Sequence, residues 1–568
     1  MGDVKAIFYI YGQITQFMRF TVLVVILMLA LAGCRSKKTA DLLVYNAHVY
    51  TVDSSFSTTE AIVIKDGKIV ATGTTPAMQE QFDAKRTIDA QGQFMYPGFI
   101  DAHAHFVEYG KSLFAVNLYG LDDFSEVEMK VKLFANEHPQ ESWIIGNGWD
   151  QNRYPGKAFP DNKRLNVLFP DKPVVLTRVD GHAVIANAKA LALAGIKAGD
   201  QVEGGSIETQ NGVLTGVLID NAVGRMEAVE PAVDKTTFEK WLSHAQGNCF
   251  AQGLTTITDC GLPYMAIDMI DTLQREGKLQ MRLYVMMADD TANYRRYLAK
   301  GPYKTDRLYV HGVKMFADGA LGSRGACLLQ AYSDKPGYMG FLLHPAAHFD
   351  SIAHLLSQTD FQLCTHAIGD SANRVVLGVY HKYLQGKNDK RWRIEHAQVV
   401  NPQDISSFGT ASIIPSVQPT HATSDMRWAG ERLGSDRLHS AYAYQQLLHE
   451  NGWLPLGTDF PVEDISPFKT FLAAVFRQDT SGLPAGGFQL ENALTREQAL
   501  RGMTIWAAKA NFLEKEVGSL EPGKKADFIL LDKDLMRASA QEVLQTTVLA
   551  TYVGGEKVFY KEDNKAEK

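Results

Sequence analysis

Eight short apolar runs of strand length, with segments long enough for helices between them, constrain this chain more than any other feature. They are Phe94 to Ile100, Leu254 to Thr258, Arg282 to Met287, Leu308 to Phe316, Phe361 to Thr365, Trp392 to Glu395, Ile413 to Val417 and Leu454 to Thr458. Such alternation predicts a parallel sheet, because parallel strands need a long crossover, usually a helix. Eight units are what a closed (β/α)8 TIM-type barrel requires. The interval between the first and second runs is far too long for one crossover, so an inserted α/β subdomain is expected over about 107–246.

Shorter alternating segments flank the barrel region. Leu42 to Thr51, Ala61 to Ile64, Lys68 to Ala71 and Thr87 to Asp89 lie on one side, Asp527 to Leu531 and Val548 to Tyr560 on the other. Asp66-Gly67 and Gly554-Gly555 mark tight turns between strands. Neither end has enough strands to stand alone, so 42–93 and 517–561 are expected to build one small β-sandwich domain, leaving 94–516 to the barrel.

The first 33 residues read differently. Phe20 to Ala32 is uninterrupted apolar sequence behind Arg19, the core of a signal peptide and short for a bilayer span. Leu31-Ala32-Gly33-Cys34 resembles the lipobox of bacterial lipoproteins. That resemblance implies lipidation of Cys34 and a protein held by its lipid at the bacterial cell envelope, on the periplasmic side and at the outer rather than the inner membrane. A plain apolar anchor, or a secretion signal with a chance cysteine, is the rival reading, and Met18 is an alternative start to Met1. The other cysteines, Cys249, Cys260, Cys327 and Cys364, are widely spaced and read as free thiols. With 45% hydrophobic and 21% charged residues the rest is ordinary globular sequence, and a net charge of −7 offers no basic footprint for nucleic acid.

Polar groups gather at the C-terminal ends of the apolar runs, where barrels of this type keep their active sites. In Asp101-Ala102-His103-Ala104-His105 the two histidines are two apart, so on a strand they point to one side and can grip one metal ion. Later run ends carry His366, His396 and Asp459, and imidazole with carboxylate suits zinc and related divalent ions.

This pattern of H-x-H on strand one, single histidines on strands five and six and aspartate on strand eight resembles the amidohydrolase superfamily over about Leu42 to Tyr560. Gly148-Trp149-Asp150, Asp180-Gly181-His182 and Lys314-Met315-Phe316-Ala317-Asp318-Gly319 with Gly322-Ser323-Arg324 resemble its family 3 branch, which includes N-substituted formamide deformylases. The resemblance implies one or two divalent ions, zinc or a relative, with His103, His105, Lys314, His366, His396 and Asp459 as ligands. Two readings of Lys314 stand: a carboxylated lysine bridging two ions, or an ammonium paired with Asp318 or another acid.

Asp459 is expected to be the base that takes a proton from the attacking water, with His182 assisting as a donor to the developing oxyanion. Trp149, Asp150, Asp318, Arg324 and Gln418 are candidates for substrate contact. The expected reaction is hydrolysis of a non-peptide carbon–nitrogen bond in a small amide, an N-acyl or N-formyl amine or a cyclic amide. An esterase or lactonase on the same site, or an idle surface-anchored binding protein on the same scaffold, is the alternative. The expected partners are a small-molecule substrate and the membrane reached through the lipid, with room for a homodimer.

Overall fold

The computed structural model describes residues 3–32 and 37–561. Cys34, the expected lipidation site, lies outside them. Asp3–Ala32 is a helix, and among the described residues no helix is long and apolar enough to cross a membrane.

Seven parallel strands form most of a barrel in chain order: Phe99–Ala104, Leu254–Leu262, Arg282–Ala288, Leu308–Phe316, Gln362–Ala367, Arg393–His396 and Ile414–Ser416. The eighth position is filled by 454–459, which pairs too briefly to form a full strand. A parallel bridge joins Val417 to Leu456, the amide of Ala102 donates to the Leu456 carbonyl at 3.1 Å, and the amide of Asp459 donates to the His103 carbonyl at 2.8 Å. These bonds nearly close the barrel and set Asp459 beside the first strand. Asp101 adds side-chain stitching, accepting from the amide and hydroxyl of Thr458 at 3.0 and 2.7 Å. Gly457 is required here, because a Cβ on it would lie 2.6 Å from the amide nitrogen of His103.

The apolar run Phe94 to Ile100 is two strands rather than one. Phe94–Pro97 pairs with Phe528–Leu531 and with His48–Tyr50, and the barrel begins only after Gly98, at Phe99. Met95 faces one core and Phe99 another, so continuous hydrophobicity concealed a change of sheet. Leu42 to Thr51 divides likewise, at Asn46, into Lys38–Tyr45 and His48–Tyr50. The sheet holding Phe94–Pro97 has six strands drawn from both chain ends, ordered Glu556–Tyr560, Val548–Val553, Phe528–Leu531, Phe94–Pro97, His48–Tyr50 and Thr58–Thr59. It packs Met95, Phe528 and Tyr552 against Leu42, Ile62 and Ile64 of a four-stranded sheet from the N-terminal side.

Between the first two barrel strands a second six-stranded sheet spans Val116–Asn117 to Val213–Asp220. The helix Lys235–Ala251 that follows buries Phe238, Leu242 and Phe250 in the barrel's own core, so it serves as the barrel's first crossover helix.

Candidate metal centre

His103 lies at the end of the first barrel strand, and His105 opens the helix Phe106–Ser112 that follows. Their Nε2 atoms lie 3.4 and 3.2 Å from Oδ1 of Asp459. His396 ends the sixth strand, with its ring 4.8 Å from that of His103, and His366 stands on the fifth, 4.6 Å from His396. His396 and Asp459 have φ of 73° and 65°, a strained conformation for residues with a Cβ and one that clusters at functional sites.

The far nitrogens fix the near ones. His103 Nδ1 donates to Glu395 Oε2 at 2.5 Å, His105 Nδ1 to the Cys260 carbonyl at 3.1 Å and His396 Nδ1 to Gln418 Oε1 at 2.7 Å. Each bond sets the tautomer and leaves Nε2 as the free ligand atom. Glu395 is itself held by Arg393 Nη2 at 3.0 Å, in a wholly buried chain inside the barrel. Against burial, which raises it, Arg393 and His103 keep the Glu395 carboxyl well below its usual range. His366 is oriented the other way: its Nε2 faces Asp318 at 3.6 Å and the Gly319 carbonyl at 3.5 Å, which leaves Nδ1.

These residues fit a divalent cation. Oδ1 of Asp459 is buried and faces the Nε2 atoms of His103 and His105 without a well-formed hydrogen bond to either, an arrangement that costs free energy unless a positive charge meets it. Burial pushes His366 and His396 well below the ordinary histidine range, which favours the neutral form a metal ligand takes, whereas His103 is held above that range against its burial and gives up a proton to bind a metal. Lys314 is 1% exposed and its Nζ lies 3.3 Å from His103 Nε2. It makes no ion pair among the described residues, so the pairing with Asp318 is not formed.

Above the centre opens a cavity of about 1080 Å³, walled on one side by the inserted sheet. His182 and Asp150 line it. His182 Nδ1 donates to Asp220 at 2.7 Å, and its ring lies 5.0 Å from that of His366. Gly319 admits this contact, since a Cβ there would collide with the Asp220 carboxylate. Arg178 braces the same wall, reaching Asp150 and Gln151 at 2.6 Å each and also pairing with Asp180.

Four expected substrate contacts lie elsewhere. Trp149 is fully buried in the core of the insert and its indole N–H donates to the Leu176 carbonyl at 2.7 Å. Asp318 is buried beneath the site, accepting from the amides of Cys327, Ile368 and Gly369, and its burial pushes it up to about 7. Arg324 pairs with Asp334 at 2.8 Å, beside a separate small pocket. Gln418 orients His396 and does not reach the cavity.

One residue of the site escaped the sequence reading. His421 lies in the helix Pro419–Asp425 just after the seventh strand, its Nε2 3.2 Å from Asp459 Oδ2 and its Nδ1 3.1 Å from Glu463. Against burial, which lowers it, Asp459 and Glu463 carry His421 up to about 10. The signal was a histidine a few residues past a barrel strand end, on the face where active sites lie.

Residues 86–559 match the model of the amidohydrolase family. The protein LONG AFTER FAR-RED 3 of Arabidopsis thaliana is 33% identical over 545 residues, 92% of either chain. The N-substituted formamide deformylase of Arthrobacter pascens is 26% identical over 91% of this chain and 97% of its own. A solved structure, an uncharacterized metal-dependent hydrolase from Pyrococcus horikoshii, superposes with a TM-score of 0.73 at 27% identity, covering 88% of this chain and 99% of that one. Matched in sequence and in fold over most of its length, this chain belongs to the amidohydrolase family and is a metal-dependent hydrolase.

Proposed function

We propose that the protein hydrolyses a non-peptide carbon–nitrogen bond in a small N-formyl or N-acyl amine or a cyclic amide. The observation that carries this reading is the buried, unpartnered Oδ1 of Asp459, set between two anchored imidazoles on the floor of a large cavity. Similarity to the formamide deformylase supports the choice of bond. His103, His105 and Asp459 would hold a zinc-class ion, with His366, His396 and Lys314 at the same or a second ion, and it would supply Lewis acidity of the kind that in general brings the pKa of water from about 15.7 to about 7.

The chain's own groups then direct the proton. Asp459, kept anionic by His103, His105 and His421 against the effect of burial, accepts a proton from the attacking water. Water oxygen joins the carbonyl carbon, the carbon–nitrogen bond breaks, and the proton passes from Asp459 to the leaving nitrogen, giving an acid and an amine. His421, bonded to Oδ2, orients the carboxylate through this transfer. His182 is raised by Asp220 against burial and stands as a donor to the oxygen that gains charge. A panel of N-formyl amines, N-acyl amines, cyclic amides and lactones tests the reading: turnover of amides supports it, and turnover of lactones alone assigns the site to esters.

Carboxylation of Lys314 belongs to the same proposal. A buried ammonium with no acid partner is costly, whereas carbon dioxide added to the neutral amine, with loss of a proton, gives an anion among histidines. Lys314→Ala is expected to lose one of two bound ions, with partial rescue by small carboxylic acids; one ion in both proteins would rule out the bridge.

The envelope location rests on Arg19, the apolar run Phe20 to Ala32 and Leu31-Ala32-Gly33-Cys34. Cys34→Ala is expected to release the protein from membrane fractions, because it leaves no thiol to acylate. Retention would make the apolar run itself the anchor.

A further inference from the structure

We infer that Asp289, His344 and His348 form a second, peripheral metal site for a zinc-class divalent ion, separate from the catalytic cavity. Asp289 directly follows the third barrel strand. His344 precedes Pro345, and His348 lies in the first turn of the helix Ala346–Ser357, the crossover into the fifth strand. One donor atom from each of the three lies within 4.8 Å of the others, and the two imidazole rings are 4.4 Å apart.

The donor chemistry selects the ligand. Two imidazoles and one carboxylate are a three-residue zinc set with a fourth position left to water, and nitrogen donors disfavour calcium and magnesium. The carboxylate is already oriented: Oδ1 of Asp289 accepts from the Tyr294 hydroxyl at 2.6 Å, and Oδ2 meets His348 Nε2 at 2.6 Å. Those two bonds satisfy Asp289 without His344. Yet His344 stands beside His348, its ring tilted 32° to that one, with neither ring nitrogen hydrogen-bonded among the described residues and one donor atom within 4.8 Å of the pair. Zinc ligands at about 2.0–2.1 Å from the ion stand on the order of 3.3 Å apart, so binding opens the Asp289–His348 contact by a fraction of an ångström.

The site is reachable, since the side chains of His348 and Asp289 are 33% and 15% exposed, and none of the three residues lines the catalytic cavity. It is also wired to the barrel: the amide of Asp289 donates to the carbonyl of Lys314 at 3.0 Å. An ion here clamps the loop after strand three to the helix before strand five. Its effect falls on stability rather than on the chemical step.

The test is a saturating Zn2+ titration of tag-free, chelator-stripped full-length protein beside His344→Ala and the milder His344→Gln. Both variants are expected to bind one equivalent fewer than the wild type, or to bind that equivalent at least about 100-fold more weakly, and to keep amide turnover. Zn2+ should raise Tm less in either variant than in the wild type. A matching His103→Ala titration accounts for the catalytic ion, because its loss removes turnover as well. Equal Zn2+ stoichiometry and affinity in wild type and both His344 variants would overturn the proposal.

Discussion

The two walls of the cavity are built on different principles. On the barrel side, His103, His105, His396 and Asp459 stand at or just past the ends of strands, the histidines held from behind by Glu395, the Cys260 carbonyl and Gln418, and Asp459 held by His421. On the insert side, Asp150, Asp180 and His182 sit in turns between strands and are held by one buried arginine and one buried aspartate. The barrel wall is therefore rigid where a metal needs fixed donors. The insert wall is set by a few polar contacts centred on Arg178 and Asp220. Chemistry is expected to reside in the first and recognition, with one proton donor, in the second.

Substitutions on the two walls test that division. The largest effect is expected for His103→Ala, which removes a proposed ligand and leaves buried Glu395 with Arg393 alone; metal and turnover should be lost together. A His103→Ala protein that retains both would dissolve the distinction. Next comes Asp459→Asn, expected to lower turnover by about 100- to 10,000-fold with metal content near normal, because the histidines still hold the ion while the proton acceptor is gone.

Smaller losses are expected from the insert. His182→Gln should cost about 100- to 1000-fold in kcat, the range for one oxyanion donor, with metal content unchanged. If only KM moves, His182 serves recognition alone. Least of all should change in Arg324→Ala, whose guanidinium meets Asp334 outside the cavity, and turnover of this variant should match the wild type within error. A large drop in kcat would return Arg324 to the substrate site.

What could be read in the sequence divides along the same line. The gathering of His103, His105, His366, His396 and Asp459 was legible because a barrel puts the C-terminal end of every strand on one face, so residue type and local position suffice to bring these candidate ligands together. The fates of Trp149, Asp318 and Arg324 were not, because each is decided by a distant partner: the Leu176 carbonyl, the amides of Ile368 and Gly369, and Asp334. His421 was hidden for a related reason. It reaches Asp459 from within a helix, with no spacing motif to announce it. The division of Phe94 to Ile100 between two sheets was equally silent, since both halves are apolar and both are buried.

The central claim, that a metal ion gathered by strand-end histidines and Asp459 drives cleavage of a carbon–nitrogen bond, is tested most directly by metal removal. Hydrolysis of an N-formyl amine is followed before chelation, after chelation, and after Zn2+ is returned. The account predicts that turnover disappears with the metal and returns with it in wild-type protein, and does not return in His103→Ala. Undiminished amide hydrolysis by fully stripped protein would contradict it.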